Sequence, residues 1–247
     1  MNVLADNRKR NVFITIISVI LIFAVIVGAC AVYLGDYYRA DHEAIGAFLP
    51  QGTAWKEEPD GTIVFEAEGA NKGFIFYPGG KVQYTAYAPL MRALAEQGVL
   101  CVLAEMPLNL AVLNMNAAEG IPERYPQVER WYIGGHSLGG SMAASYAAKA
   151  GGSYEGLVLL GAYSTADVRS SGMDVISVYG SEDRVMNAEK YAENIRHLPD
   201  GFEEHIISGG CHAGFGCYGP QEGDGTPSIS SEAQIAETVQ LLMDFFN

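Results

Sequence analysis

The chain has 247 residues, 15 Lys and Arg against 29 Asp and Glu, and a formal charge of −14, with 49% hydrophobic and 18% charged residues. That balance excludes a disordered chain, and it excludes nucleic acid as a partner, because binding phosphates requires a basic face that releases counterions. Length and composition likewise exclude a disulfide miniprotein and a collagen-like chain.

The apolar surplus begins early. Residues 12–34 are 23 positions without a charge, preceded by Arg8, Lys9 and Arg10 and followed by Gly35 and Asp36. As a helix this run is about 35 Å long, enough for a hydrocarbon core of about 30 Å. The basic flank predicts a cytoplasmic N-terminus (residues 1–11) and an extracytoplasmic remainder, which makes the lipid bilayer a partner of the chain and the cell membrane its location. A cleaved signal peptide has a shorter apolar core, about 7–15 residues. Val27-Gly28-Ala29-Cys30 resembles a lipobox, yet Ala31 to Leu34 continue the apolar run beyond that cysteine. The reading is one transmembrane anchor over residues 12–34, a juxtamembrane segment over 35–52 with a short helix over 36–49, and a single domain over 53–247. Only three basic residues and Asp6 precede residue 35, so the remainder carries −16.

Within the domain, residues 53–57 and 62–67 flank Pro59-Asp60-Gly61 and predict a hairpin. Residues 73–77 (GFIFY) form an apolar run closed by Pro78-Gly79-Gly80, the pattern of a strand buried on both faces. A helix follows over 84–97, with Tyr87, Leu90, Met91 and Leu94 on one face and Gly98 as its stop. Strands are expected at 99–104, 131–134, 156–160, 174–179 and 203–207, and helices at 108–118, 141–150, 188–197 and 230–246. This alternation predicts an α/β fold, a mainly parallel twisted sheet with helices on both faces and the antiparallel hairpin at one edge. Ligands of such sheets bind beyond the carboxyl ends of the strands.

Gly135-His136-Ser137-Leu138-Gly139 stands between a strand and a helix of small residues. G-x-S-x-G in that context is a nucleophile elbow, with Ser137 at a helix N-terminus that favours a developing oxyanion. A serine needs a base, and the base an orienting acid, expected in the order Ser, Asp or Glu, His. Asp183 follows the strand 174–179, with Glu182 beside it, while Asp167 and Asp174 fall too early; the competing role of Asp183 is a helix N-cap. Of the later histidines, His197 ends a helix, His205 lies in a strand, and His212 sits in the glycine-rich loop 208–216. His212 is therefore the candidate base, and His136 a supporting residue. The Leu138 N–H is the first oxyanion donor and Gly80 or Lys81 the second, since Pro78 has no N–H. Met106, Pro107, Leu108, Leu110 and Met115 are candidates for the acyl side. Cys211 and Cys217 flank the histidine loop and read either as a disulfide or as free thiols; with His212 alone beside them they make no zinc site.

The motifs YPGGK, GGHSLGG, YGSED and CHAGFGCYGPQ, in this order, resemble the α/β-hydrolase fold family, in particular compact bacterial members related to dienelactone hydrolase. The resemblance runs from about residue 54 to the end. It implies hydrolysis of small carboxylic esters through an acyl-enzyme, with Ser137, Asp183 and His212 as nucleophile, acid and base and with neither metal nor organic cofactor. Dienelactone hydrolases use a cysteine nucleophile where this chain has Ser137. The short stretch 162–172 leaves no room for a lipase cap and implies an open site. An acyltransferase on the same triad and a non-catalytic binding protein of the same fold are the alternatives.

Overall fold

The computed structural model describes residues 2–48 and 55–247. The chain divides into two compact units, residues 1–37 and 38–247. The first is one helix, α1 (Asn2–Gly35), whose Arg10–Gly35 part is long and apolar enough to cross a membrane, a property shared by anchors and signal sequences.

The second unit begins at Tyr38, well before residue 53. Instead of one helix over 36–49, Tyr38 bridges to Val82, and α2 (His42–Phe48) follows; Leu49 and the start of the expected first strand, Thr53 and Ala54, lie outside the described residues. Ala40 and Ile45 are buried in the core, which makes this segment part of the fold.

Eight strands form one sheet: β1 (Lys56–Glu57), β2 (Ile63–Phe65), β3 (Lys72–Tyr77), β4 (Val99–Leu103), β5 (Arg130–His136), β6 (Gly156–Leu160), β7 (Asp174–Gly180) and β8 (Glu203–Ile207). Their order is β1-β2-β4-β3-β5-β6-β7-β8, antiparallel only at the β1-β2-β4 edge and parallel elsewhere. The remaining helices are α3 (Ala88–Ala95), α4 (Ile121–Arg124), α5 (Leu138–Ala147), α6 (Ala188–Asn194) and α7 (Ser231–Phe245).

Alternation along the central strands divides the core into two layers. Phe74 and Phe76 of β3 pack with Leu90, Leu94, Leu242 and Phe246 on one face. Ile75 and Tyr77 pack with Ile133, Ala143, Ala144 and Ala147 on the other, where the small side chains of α5 let that helix lie close to the sheet. Asn187 and Ser230 cap α6 and α7 by accepting from the N–H groups of Lys190 and Ala233.

The helix expected over 108–118 does not form. Two 3-10 turns, Pro107–Asn109 and Ala111–Leu113, take its place, because Leu108 (φ 54°) and Asn109 (φ 56°) are left-handed and interrupt any α-helical run. The turn is fixed from below by the buried Tyr77, whose hydroxyl donates to Met115 O (2.9 Å) and accepts from Ala118 N (2.8 Å).

Candidate active site

The carboxyl ends of β3, β5, β6, β7 and β8 carry the loops that hold the expected site residues. Ser137 follows β5 directly and has φ 53° and ψ −123°, a strained geometry for an L-residue. Its N–H is tied to Leu160 O (2.9 Å). The elbow presses against the end of β3 so closely that a Cβ at Gly135 or Gly139 would overlap the Tyr77 carbonyl. Those two positions require glycine for contact, not for backbone sign.

Asp183 and His212 meet. His212 Nδ1 lies 2.8 Å from Asp183 Oδ2, and both side chains are almost fully buried. The other carboxylate oxygen accepts from the N–H groups of Val185 (2.9 Å) and Met186 (2.8 Å), so Asp183 caps its own turn and orients the imidazole at the same time. The other ring nitrogen, His212 Nε2, is buried and has no hydrogen-bond partner. Gly161 lies between these residues: a Cβ there would stand 3.0 Å from His212 Nδ1 and 3.2 Å from Asp183 Oδ2. Gly161 also follows Leu160, which anchors the Ser137 N–H, and it shares with Ser137 a cavity of about 240 Å³. Asp183 and His212 thus pair, and Gly161 links them to the cavity that Ser137 lines.

The other acidic and histidine candidates lie elsewhere. Asp167 pairs with Arg169, which holds its carboxyl down at about 2. Glu182 is partly exposed beside Arg184, Asp174 opens β7 at the opposite end of the sheet, His197 Nδ1 faces Ser164 O (3.1 Å), and His205 stands beside Glu203.

On the β3 side, Lys81 does not serve as an oxyanion donor, because its N–H is engaged by Asn109 O (2.8 Å). The Gly80 backbone packs on Leu138, so closely that a Cβ at Gly80 would stand only 2.9 Å from Leu138 Cδ2. Cys211 and Cys217 are free, buried thiols and form no disulfide. The backbone restrains their loop instead: Gln234 bonds both N–H and C=O of Cys211, and Cys217 bonds Ala86 O and Asp41 N. Burial pushes both thiols up to about 11. The cavity beside Ser137 is lined by Leu138, Ala162, Tyr163, Val185 and Met186, so the 106–115 segment does not contribute to it.

Two supporting residues escaped the sequence reading. The Tyr87 hydroxyl accepts from Gly79 N (3.1 Å) and lies 2.8 Å from His136 Nδ1, while the His136 ring packs on the His212 ring with centroids 4.4 Å apart. Burial, reinforced by the neighbouring His212, holds the His136 pKa well below the usual histidine range. His136 is therefore neutral, and its Nδ1 shares the Tyr87 hydroxyl with the Gly79 N–H. The second residue is Asp224, which accepts from the N–H groups of His212 (3.2 Å) and Ala213 (2.9 Å). Burial opposes its ionisation, but those N–H groups and that of Arg184 outweigh it and lower the carboxyl pKa. Tyr87 reads in the sequence as a core-face residue, and nothing local to Asp224 marks what it holds.

The alpha/beta hydrolase family profile matches residues 73–236, more than half of the chain. The chain belongs to the α/β hydrolase family. Solved structures similar to this α/β hydrolase agree in fold. An alpha/beta hydrolase enzyme from a lagoon-sediment metagenome has 17% identity and a TM-score of 0.57 over 78% of this chain and 97% of that one. Est1E of Butyrivibrio proteoclasticus with ferulic acid bound has 14% identity and a TM-score of 0.56 over 77% and 98%. A dienelactone hydrolase from Anabaena variabilis has 15% identity and a TM-score of 0.55 over 74% and 90%. No curated protein matches the chain in sequence.

Proposed function

We propose that this α/β hydrolase is a membrane-anchored serine hydrolase that cleaves small carboxylic esters through an acyl-enzyme. Residues 12–34 anchor it, with the N-terminus cytoplasmic and the catalytic domain extracytoplasmic. The observation that carries the reading is the buried His212–Asp183 pair, which lies against Gly161, a residue that lines one cavity with the strained Ser137.

His212 Nε2 takes the Ser137 hydroxyl proton as Oγ attacks the ester carbonyl carbon. The oxyanion forms against the Leu138 and Gly80 N–H groups, and each such donor is worth about 2.7–4 kcal/mol in related hydrolases. The proton then passes from His212 to the leaving alcohol, which leaves Ser137 acylated. Water, deprotonated by His212, attacks the acyl carbon and releases the acid, returning the proton to Ser137. A cavity of about 240 Å³ suits a small acyl group.

The test is a fluorophosphonate probe on the full chain in detergent, with the labelled peptide located by mass. Label is expected on Ser137, absent in Ser137→Ala and strongly reduced in His212→Ala. A folded parent chain that stays unlabelled would overturn the reading.

A further inference from the structure

In the second unit, five large hydrophobic side chains stand exposed among the described residues: Trp55, Leu108, Val112, Leu113 and Ile206. Three of the five fall within the two turns over 107–113, each more than half exposed. Residues 106–118 contain no charge, in a domain that is otherwise strongly acidic. The backbone is also strained here, because Leu108 is a branched, non-glycine residue held at φ 54° with its side chain in solvent. Three exposed apolar side chains side by side in an uncharged segment mark an interaction surface.

The position of these turns identifies the partner. Asn109 O accepts from Lys81 N (2.8 Å), and Lys81 O accepts from Tyr38 N (2.7 Å), the first residue of the folded unit. The apolar turns, the loop bearing Gly80 and the chain's entry into the domain are thus joined by two consecutive hydrogen bonds. Tyr38 follows Gly35, the last residue of α1, by three positions, so covalent connectivity limits it to about 11 Å from that residue.

We propose that Leu108, Val112 and Leu113 are the surface through which the domain rests on the lipid bilayer, which sets the Ser137 site at the membrane interface. The proposal rests on residues 12–34 being an anchor and does not depend on the chemistry at Ser137. An acidic domain is repelled by anionic lipid, and a short uncharged apolar surface linked to the domain's first residue is the part that enters a zwitterionic interface at little electrostatic cost.

The test uses the full chain with Cys30→Ser, carrying either Val112→Cys or, as a control, the exposed Ser153→Cys. Each is labelled with a nitrobenzoxadiazole fluorophore and reconstituted into phosphatidylcholine vesicles with or without brominated acyl chains. The label at 112 should shift to the blue and lose about half its emission to brominated lipid, as expected for a group about 5–10 Å inside the interface. The label at 153 should be unaffected. Protein that floats with the vesicles but shows equal, weak quenching at both positions would overturn the docking surface while leaving the anchor intact. Protein that does not float would overturn both. Neither outcome touches the hydrolase reading, since no substrate is involved.

Discussion

Ser137 is held at a backbone conformation that costs about 1–3 kcal/mol for a residue with a Cβ, and glycine pays none of it. Ser137→Gly is therefore expected to melt at a higher temperature than Ser137→Ala, both being inactive; equal melting temperatures would mean that the elbow is unstrained. Tyr87 makes a second prediction at this scale. Replacing it with Phe removes the acceptor of the Gly79 N–H and the partner of His136 Nδ1, both fully buried, at a cost of about 1–3 kcal/mol for each group left unpaired. Because Gly79 precedes the proposed oxyanion donor Gly80 and His136 packs on His212, Tyr87→Phe should lower kcat on p-nitrophenyl acetate with KM little changed. A change confined to thermal stability would reduce Tyr87 to a packing residue.

Among the elements, the loop after β8 bears most on the site. It carries His212 and is tied down by Asp224 from below and by Gln234 of α7 from behind. A disulfide would have been one way to restrain it, but the backbone bonds to Gln234, Ala86 and Asp41 already do so. Thiol titration of the folded chain in detergent should accordingly find Cys101, Cys211 and Cys217 unreactive. After denaturation without reductant, all four cysteines of the chain should react. Two thiols missing from the denatured count would restore the bridge. The segment 107–113 is the contrasting case. Its composition reads as helix, but Leu108 and Asn109 have positive φ angles and the Asn109 carbonyl accepts from Lys81 N, a contact that no local pattern announces.

For the molecule as a whole, the buried neutral His136 links stability to pH. Its folded pKa is depressed, so below about 6.5 the unfolded chain binds a proton there that the folded chain does not. That contribution to stability is present above pH 6.5 and is lost as the pH falls, by at most about 1.4 kcal/mol per unit. Asp224, depressed as well, adds a loss only below the ordinary carboxylate range near 3.9. The urea midpoint should fall between pH 7 and pH 5, and His136→Gln should flatten that slope. An unchanged slope in the variant would assign the acid sensitivity elsewhere.

What the residues determined alone is what short-range pattern encodes. The buried strands stand out as apolar runs between glycines and prolines, from GFIFY to the paired glycines of the elbow, and their alternation with helices already implies a parallel sheet. That Ser137, Asp183 and His212 each follow a strand was legible, and strand ends in such a sheet share one edge. Tertiary contact decided the rest. The entry segment from Tyr38 belongs to the domain because Ala40 and Ile45 find a core to enter. That the Lys81 N–H is taken shows only in the Asn109 carbonyl that accepts it, from a loop 28 positions away in the chain. Tyr87 and Asp224 acquired their roles from polar partners brought to their buried or half-buried oxygens by other elements. A hydrogen bond between distant segments leaves no periodicity in either one, so it is visible only after the chain has folded.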